Sequence, residues 1–121
     1  MPARLTPADP AAVAPALERW RAGEAEKADL RLLTKHFLAL LAREAPGGAV
    51  EVRVPPYAAV QVIGGTQHRR GTPPAVVELE AETWLDLALG RLTWADAVAA
   101  GRVLASGERS DLSPYLPLHL P

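Results

Sequence analysis

"VEVRVPPYAAVQVIGG", Val50 to Gly65, decides the fold class, because apolar residues recur in it at every second position and the chain then turns. Val50, Val52 and Val54 share one face of an extended segment while Glu51 and Arg53 share the other, the pattern of a half-buried strand. Pro55-Pro56 cannot donate to a ladder and marks a turn or an edge, after which "YAAVQVI" reads as a second strand with Ala58, Val60 and Val62 aligned. Gly64-Gly65 accepts positive backbone dihedrals and gives a hairpin signal. "TQHRRGTPP" reads as a polar return or a third strand, and "AVVELE" as a further strand with Val77 and Leu79 on one face, Glu78 and Glu80 on the other. Short strands joined by tight turns predict a sheet that is antiparallel, at least in this central part.

On both sides of the strands the period changes to that of a helix. From Ala25 to Arg43, Leu30, Leu33, Phe37 and Leu40 or Leu41 recur at three- and four-residue steps, whereas Lys27, Arg31 and Lys35 fall on the opposite, solvated side. "APGG", Ala45 to Gly48, supplies the stop. Further upstream, Asp9-Pro10 offers an N-cap and a first-turn proline for a short helix through about Trp20, ended by Gly23. The expected organisation is an Ala/Pro-rich N-terminal segment over residues 1–23 and one domain over 24–121. The N-terminal helix, "AAVAPALERW", could cover a pocket mouth, pair with another copy or be a tail.

Downstream, "ETWLDLALG" puts Trp84, Leu87 and Ala88 together and stops at Gly90. Thr93 and Asp96 form a near capping box for the short helix "WADAVAA", Gly101 supplies its C-terminal cap, and "RVLASG" gives a short strand with Val103 and Ala105 on one side. Ser110, or Ser113 ahead of Pro114, caps a last turn carrying Leu112, Tyr115 and Leu116.

Composition narrows the function classes. A chain of 121 residues holds one core and at most one cavity of note. With 13 basic and 14 acidic side chains and a net charge of -1, it lacks the basic footprint of a nucleic-acid binder. There is no cysteine, which removes disulfides, thiolate catalysis and thiolate zinc sites together. No signal-peptide pattern opens the chain and no window approaches the roughly 18 apolar residues of a membrane span, so the expected setting is the cytoplasm without stable membrane insertion.

No catalytic constellation stands out. Ser106 sits at a strand end before a glycine turn and lacks the G-x-S-x-G elbow that would strain and expose a nucleophile. Asp111 is explained as a first-turn residue, and His119 lies in a proline-flanked tail. His36, His68 and His119 have no helical i, i+4 spacing for a metal, and Glu78, Glu80 and Glu82 have no apolar surroundings to raise a pKa. The expectation is therefore no catalytic residue, no metal and no cofactor. Arg69 and Arg70, before Gly71, are candidates for an anionic headgroup, since a guanidinium fork suits planar anions, against the plainer role of a solvated turn.

One run carries a resemblance: Thr83-Trp84-Leu85-x-Leu87-Ala88-x-Gly90-Arg91-Leu92-Thr93-Trp94-x-x-Ala97, then Gly101-Arg102-Val103 and Ser106-Gly107-x-x-x-Asp111-Leu112. It resembles the C-terminal half of sterol-carrier-protein-like domains, and "VRVPPYAAVQ" and "HRRGTPPAVVE" resemble the bacterial branch of that superfamily. The resemblance spans about residues 25 to 118. It implies an α+β domain with a five-stranded, largely antiparallel sheet covered by helices around an apolar tunnel for a lipid or acyl chain. Residue types alone leave a solid core and a cavity both open.

On the tunnel reading, Leu33, Phe37 and Leu40 face Val60, Val62, Val77 and Leu79 across the ligand, with Trp84, Trp94, Tyr115 and Leu116 near its borders. The function expected is non-enzymatic binding of an apolar partner, a lipid, fatty acyl chain or sterol-like molecule. The alternative is an accessory or protein-interaction module, because similar domains form the C-terminal part of mycothiol-dependent maleylpyruvate-isomerase-like enzymes; a protein partner or a homodimer belongs to that alternative.

Overall fold

The computed structural model describes residues 4–64, 75–107 and 110–118, and the statements that follow concern those residues. Helix α1 (Pro10–Arg21) leads into α2 (Lys27–Glu44), followed by strands β1 (Val50–Val54), β2 (Ala58–Val62) and β3 (Ala75–Leu79). Helices α3 (Ala81–Ala88) and α4 (Trp94–Ala99), strand β4 (Val103–Ser106) and a single 3₁₀ turn, Ser113–Tyr115, complete the order.

Local chemistry accounts for the boundaries. The Asp9 carboxylate accepts from the Ala11 amide at 2.9 Å and Pro10 occupies the first turn of α1. A capping box of Glu26 and Asp29 opens α2, and Thr93 Oγ1 accepts from the Asp96 amide at 3.1 Å to open α4. Gly47 is fixed by close approach as well as by its φ of +143°: a Cβ there would lie 2.3 Å from the Ile63 carbonyl oxygen. That approach closes the stretch before β1 onto the end of β2, where the Ala49 amide donates to the Ile63 carbonyl at 2.9 Å.

The strands form one sheet in the order β2-β1-β3-β4. Two pairings are antiparallel, with Val52 opposite Val60 and Leu79 opposite Val103. The third corrects the sequence expectation, since β1 and β3 run parallel with Val52 opposite Val77. Period-two patterning records which face a residue takes and is blind to strand direction, whereas β3 joins β1 on the side away from β2. The architecture is α+β with a four-stranded mixed sheet among the described residues; the third strand expected over "TQHRRGTPP" lies outside them.

One face of the sheet meets the helices. Val50, Val52, Val54, Val62, Val77 and Leu79 join Leu33, Phe37, Leu38, Leu41, Trp84, Leu85 and Leu87 in a single buried cluster. The Trp84 indole N–H donates to the Thr34 carbonyl at 3.4 Å, tying α3 to α2. Helix α1 buries only Val13 and Ala16 and is bolted on by polar contacts: Arg19 forms a bidentate pair with Asp29 at 2.7 and 2.9 Å, and the Arg91 guanidinium lies 4.7 Å from the Trp20 ring centroid.

Candidate functional site

Where β1 and β3 end and β4 begins, an open cleft of about 550 Å³ is lined by Pro55, Glu78, Leu79, Glu80, Thr83, Gly101, Arg102 and Leu104. Its volume falls in the range typical of small-molecule pockets, roughly 300–1,000 Å³. Leu79 is 4% exposed and belongs to the buried cluster, so the cleft ends against the edge of the core. At the rim Leu104 is 67% exposed, opposite Glu78 in the β3–β4 register.

Polar groups fix the shape of this cleft more than they advertise charge. The Arg102 Nε–H donates to Thr83 Oγ1 at 3.1 Å, and Nη2 lies 3.6 Å from Asp86 Oδ2. The guanidinium is thereby held against α3. Glu78 stands opposite Arg53 in the β1–β3 register, and Arg53 is held more firmly in its charged form first by the hydrogen bond to Glu51 and then by the Glu51 and Glu78 charges. Glu80 is exposed at the start of α3.

A second, smaller cleft of about 280 Å³ opens between the N-terminal segment and α2, lined by Thr6, Ala8, Ala28, Arg31, Leu32, Lys35 and His36. The Ala8 amide donates to His36 Nδ1 at 2.9 Å. Burial pushes the His36 pKa below its ordinary value. A neutral ring accepting at Nδ1 carries its proton on Nε2.

The residues expected to hold an apolar ligand divide by burial. Leu33, Phe37, Val62, Val77, Leu79 and Trp84 are packed against one another in the buried cluster, while Leu40, Val60, Trp94, Tyr115 and Leu116 are half-buried against it. Leu79 alone of these lines the sheet-end cleft. Arg69 and Arg70 lie outside the described residues. Ser106 ends β4 and is exposed, and Asp111 accepts from the Ser113 amide at 2.8 Å, a contact local to its turn.

Of the cleft's lining, sequence reasoning expected Leu79 alone and missed Pro55, Glu78, Glu80, Thr83, Gly101, Arg102 and Leu104. Leu104 carried a signal: beside inward-facing Val103, the alternation of a strand forces a leucine onto the open face. Among the described residues no three His, Cys, Asp or Glu side chains are grouped to hold a metal ion, and no helix is long and apolar enough to cross a membrane.

Residues 26–118 match a family model described as a bacterial SCP ortholog, a sterol-carrier-protein-like domain. No curated protein matches the chain.

Proposed function

The chain belongs to the bacterial SCP ortholog family, and on that footing we propose that it is a non-enzymatic binding protein for an apolar ligand, a lipid, fatty acyl chain or sterol-like molecule, taken between its helices and its sheet. The observation that carries this reading is the double position of Leu79: it belongs to the apolar cluster between α2, α3 and the sheet, and it walls an open cleft. An apolar chain lying along Leu104 and Pro55 would meet Leu79 at the edge of the core, and to go further it must part the packed inner-face valines. Each methylene withdrawn from water contributes about 0.8 kcal/mol, so micromolar affinity takes about ten methylenes before the cost of association is met, which calls for a long chain rather than a short one.

Native mass spectrometry of gently purified protein, with extraction of whatever apolar molecule travels with it, tests the reading. A stoichiometric lipid, or saturable uptake of a fatty acid that Leu104→Asp weakens, is the expected result. A bare mass that neither fatty acid nor sterol shifts would sink it.

A specific feature also favours the accessory-module alternative. Leu104 on the outer strand β4 and Val98 on α4 are 67% and 48% exposed, and the far edge of β4 has no partner strand among the described residues. Concentration-dependent dimerisation or partner binding abolished by Leu104→Asp, without any bound lipid, would decide for that alternative.

A further inference from the structure

The cleft between the N-terminal segment and α2 differs in kind from the one at the sheet end. Arg31 and Lys35 stand one helical turn apart on α2, and neither has an ion-pair partner among the described residues. Like charges at that spacing repel by about 0.2–0.5 kcal/mol, so they are held together at a small cost. Around them the lining offers the Thr6 hydroxyl and the Nε2–H of His36, and no carboxylate.

We propose that this cleft is an oxyanion site, taking a phosphate or phosphate-monoester group between Arg31, Lys35, His36 and Thr6. The donor set fits that chemistry. A guanidinium fork, an ammonium, an imidazole N–H and a hydroxyl supply two positive charges and more than three donors, matching a doubly charged group with three terminal oxygens. At about 280 Å³ the cleft has room for a headgroup and falls just short of the usual range for a whole organic ligand. The charged groups closest to the lining in sequence are Arg4 on the N-terminal segment, Lys27 one turn before Arg31, Asp9, whose carboxylate is engaged by the Ala11 amide, and Asp29, which is paired with Arg19. The site does not depend on the apolar ligand, and its success or failure is independent of that reading.

The experiment is a titration of the full chain with inorganic phosphate against chloride at constant ionic strength, followed by amide spectra and by the His36 ring protons. A second arm measures co-sedimentation with phosphatidylcholine vesicles with and without phosphatidic acid. Saturable shifts at Thr6, Ala8 and Arg31, with an upward move of the His36 pKa, are expected if the source is soluble; binding confined to the phosphatidic acid vesicles places the same chemistry in a lipid headgroup. In either arm, Arg31→Ala/Lys35→Ala weakens binding at least about tenfold, as losing charge-assisted hydrogen bonds requires, while Lys27→Ala, on the same helix face but outside the lining, does not. Both replaced side chains are exposed, and an unchanged spectrum without phosphate certifies the fold. No response in either arm, a response that survives the double variant, or saturable phosphate shifts that leave the His36 pKa unmoved would overturn the proposal.

Discussion

Helices α1 and α3 both pack against α2, and they are held there by opposite kinds of contact. Helix α3 buries Ala81, Thr83, Trp84, Leu85, Leu87 and Ala88, six of its eight residues. Helix α1 buries two of twelve, Val13 and Ala16, rests Leu17 and Trp20 half-buried against the core, and adds the Arg19–Asp29 pair and the Arg91–Trp20 stack, with the Ala8–His36 bond just ahead of it. Apolar burial is insensitive to salt and pH, whereas exposed or half-exposed ionic contacts respond to both. The same domain therefore has one helix welded to its core and one that touches the core at a few residues and is fastened for the rest by polar contacts, two of which involve groups that titrate.

The largest effect that could break this comparison is on the welded side. Trp84 is completely buried in the core cluster and is tied to α2 through the Thr34 carbonyl. Trp84→Ala should cost about 3–5 kcal/mol, because the indole leaves a cavity that its neighbours close only in part. Urea unfolding followed by far-ultraviolet circular dichroism should show the whole transition moving to lower denaturant. A loss confined to α3, with the sheet's midpoint unchanged, would mean that the two helices are attached in similar ways after all.

On the fastened side the expected effect is local. Arg19→Gln removes the fork that spans α1 and α2 and leaves the sheet untouched. Amide exchange should accelerate along α1 while β1 and β3 keep their protection. Equal acceleration in the strands would show α1 to be part of the cooperative core.

Acidification should release α1 in two separable steps. The Arg19 hydrogen bonds, with the Glu26 amide, hold Asp29 at about 2, below its ordinary 3.8. A lowered acid pKa gives docking that is complete above about pH 4 and lost as pH falls toward 2. For His36 the folded pKa lies below 6.5 because of burial, so the undocked ring takes its proton first, and the Ala8 bond weakens as pH falls below that value. The indole N–H resonance of Trp20 should report both steps. Arg19→Gln should erase the lower step and His36→Leu the upper one; a single step common to both variants would contradict independent fastenings.

What could be read from the chain divides along the same line. Period-two alternation in "VEVRV" and the spacing of Leu33, Phe37 and Leu41 announced the welded half, because burying an apolar face imposes a repeat on the sequence. The direction of β3 beside β1 left no such mark, since either direction buries Val77 and Leu79. Contacts of α1 were invisible for a different reason: Ala8 and His36 are 28 positions apart, and a polar contact at one point has no period. Lys27, Arg31 and Lys35 thus read as a uniform solvated stripe until the N-terminal segment came to lie beside two of them. The sheet-end cleft was half legible, through the apolar inner face to which Leu79 belongs, but not through Thr83 and Arg102, which meet across 19 positions.

The smallest effect expected lies inside the welded half and sharpens what welding means. Thr34 is fully buried on α2, and its hydroxyl has no hydrogen-bond partner among the described residues, although its own carbonyl accepts from Trp84. A buried hydroxyl without a partner forfeits its hydration and gains nothing in return. Valine keeps the branched shape and the helix rotamer while removing the oxygen. Thr34→Val should therefore raise stability by about 1 kcal/mol, visible as a higher urea midpoint with unchanged slope. If stability instead falls, the hydroxyl is satisfied by a bound water, and α3 is attached through a polar element as well as an apolar one. The contrast between the two helices would then be one of degree, set by how many polar groups each interface must satisfy.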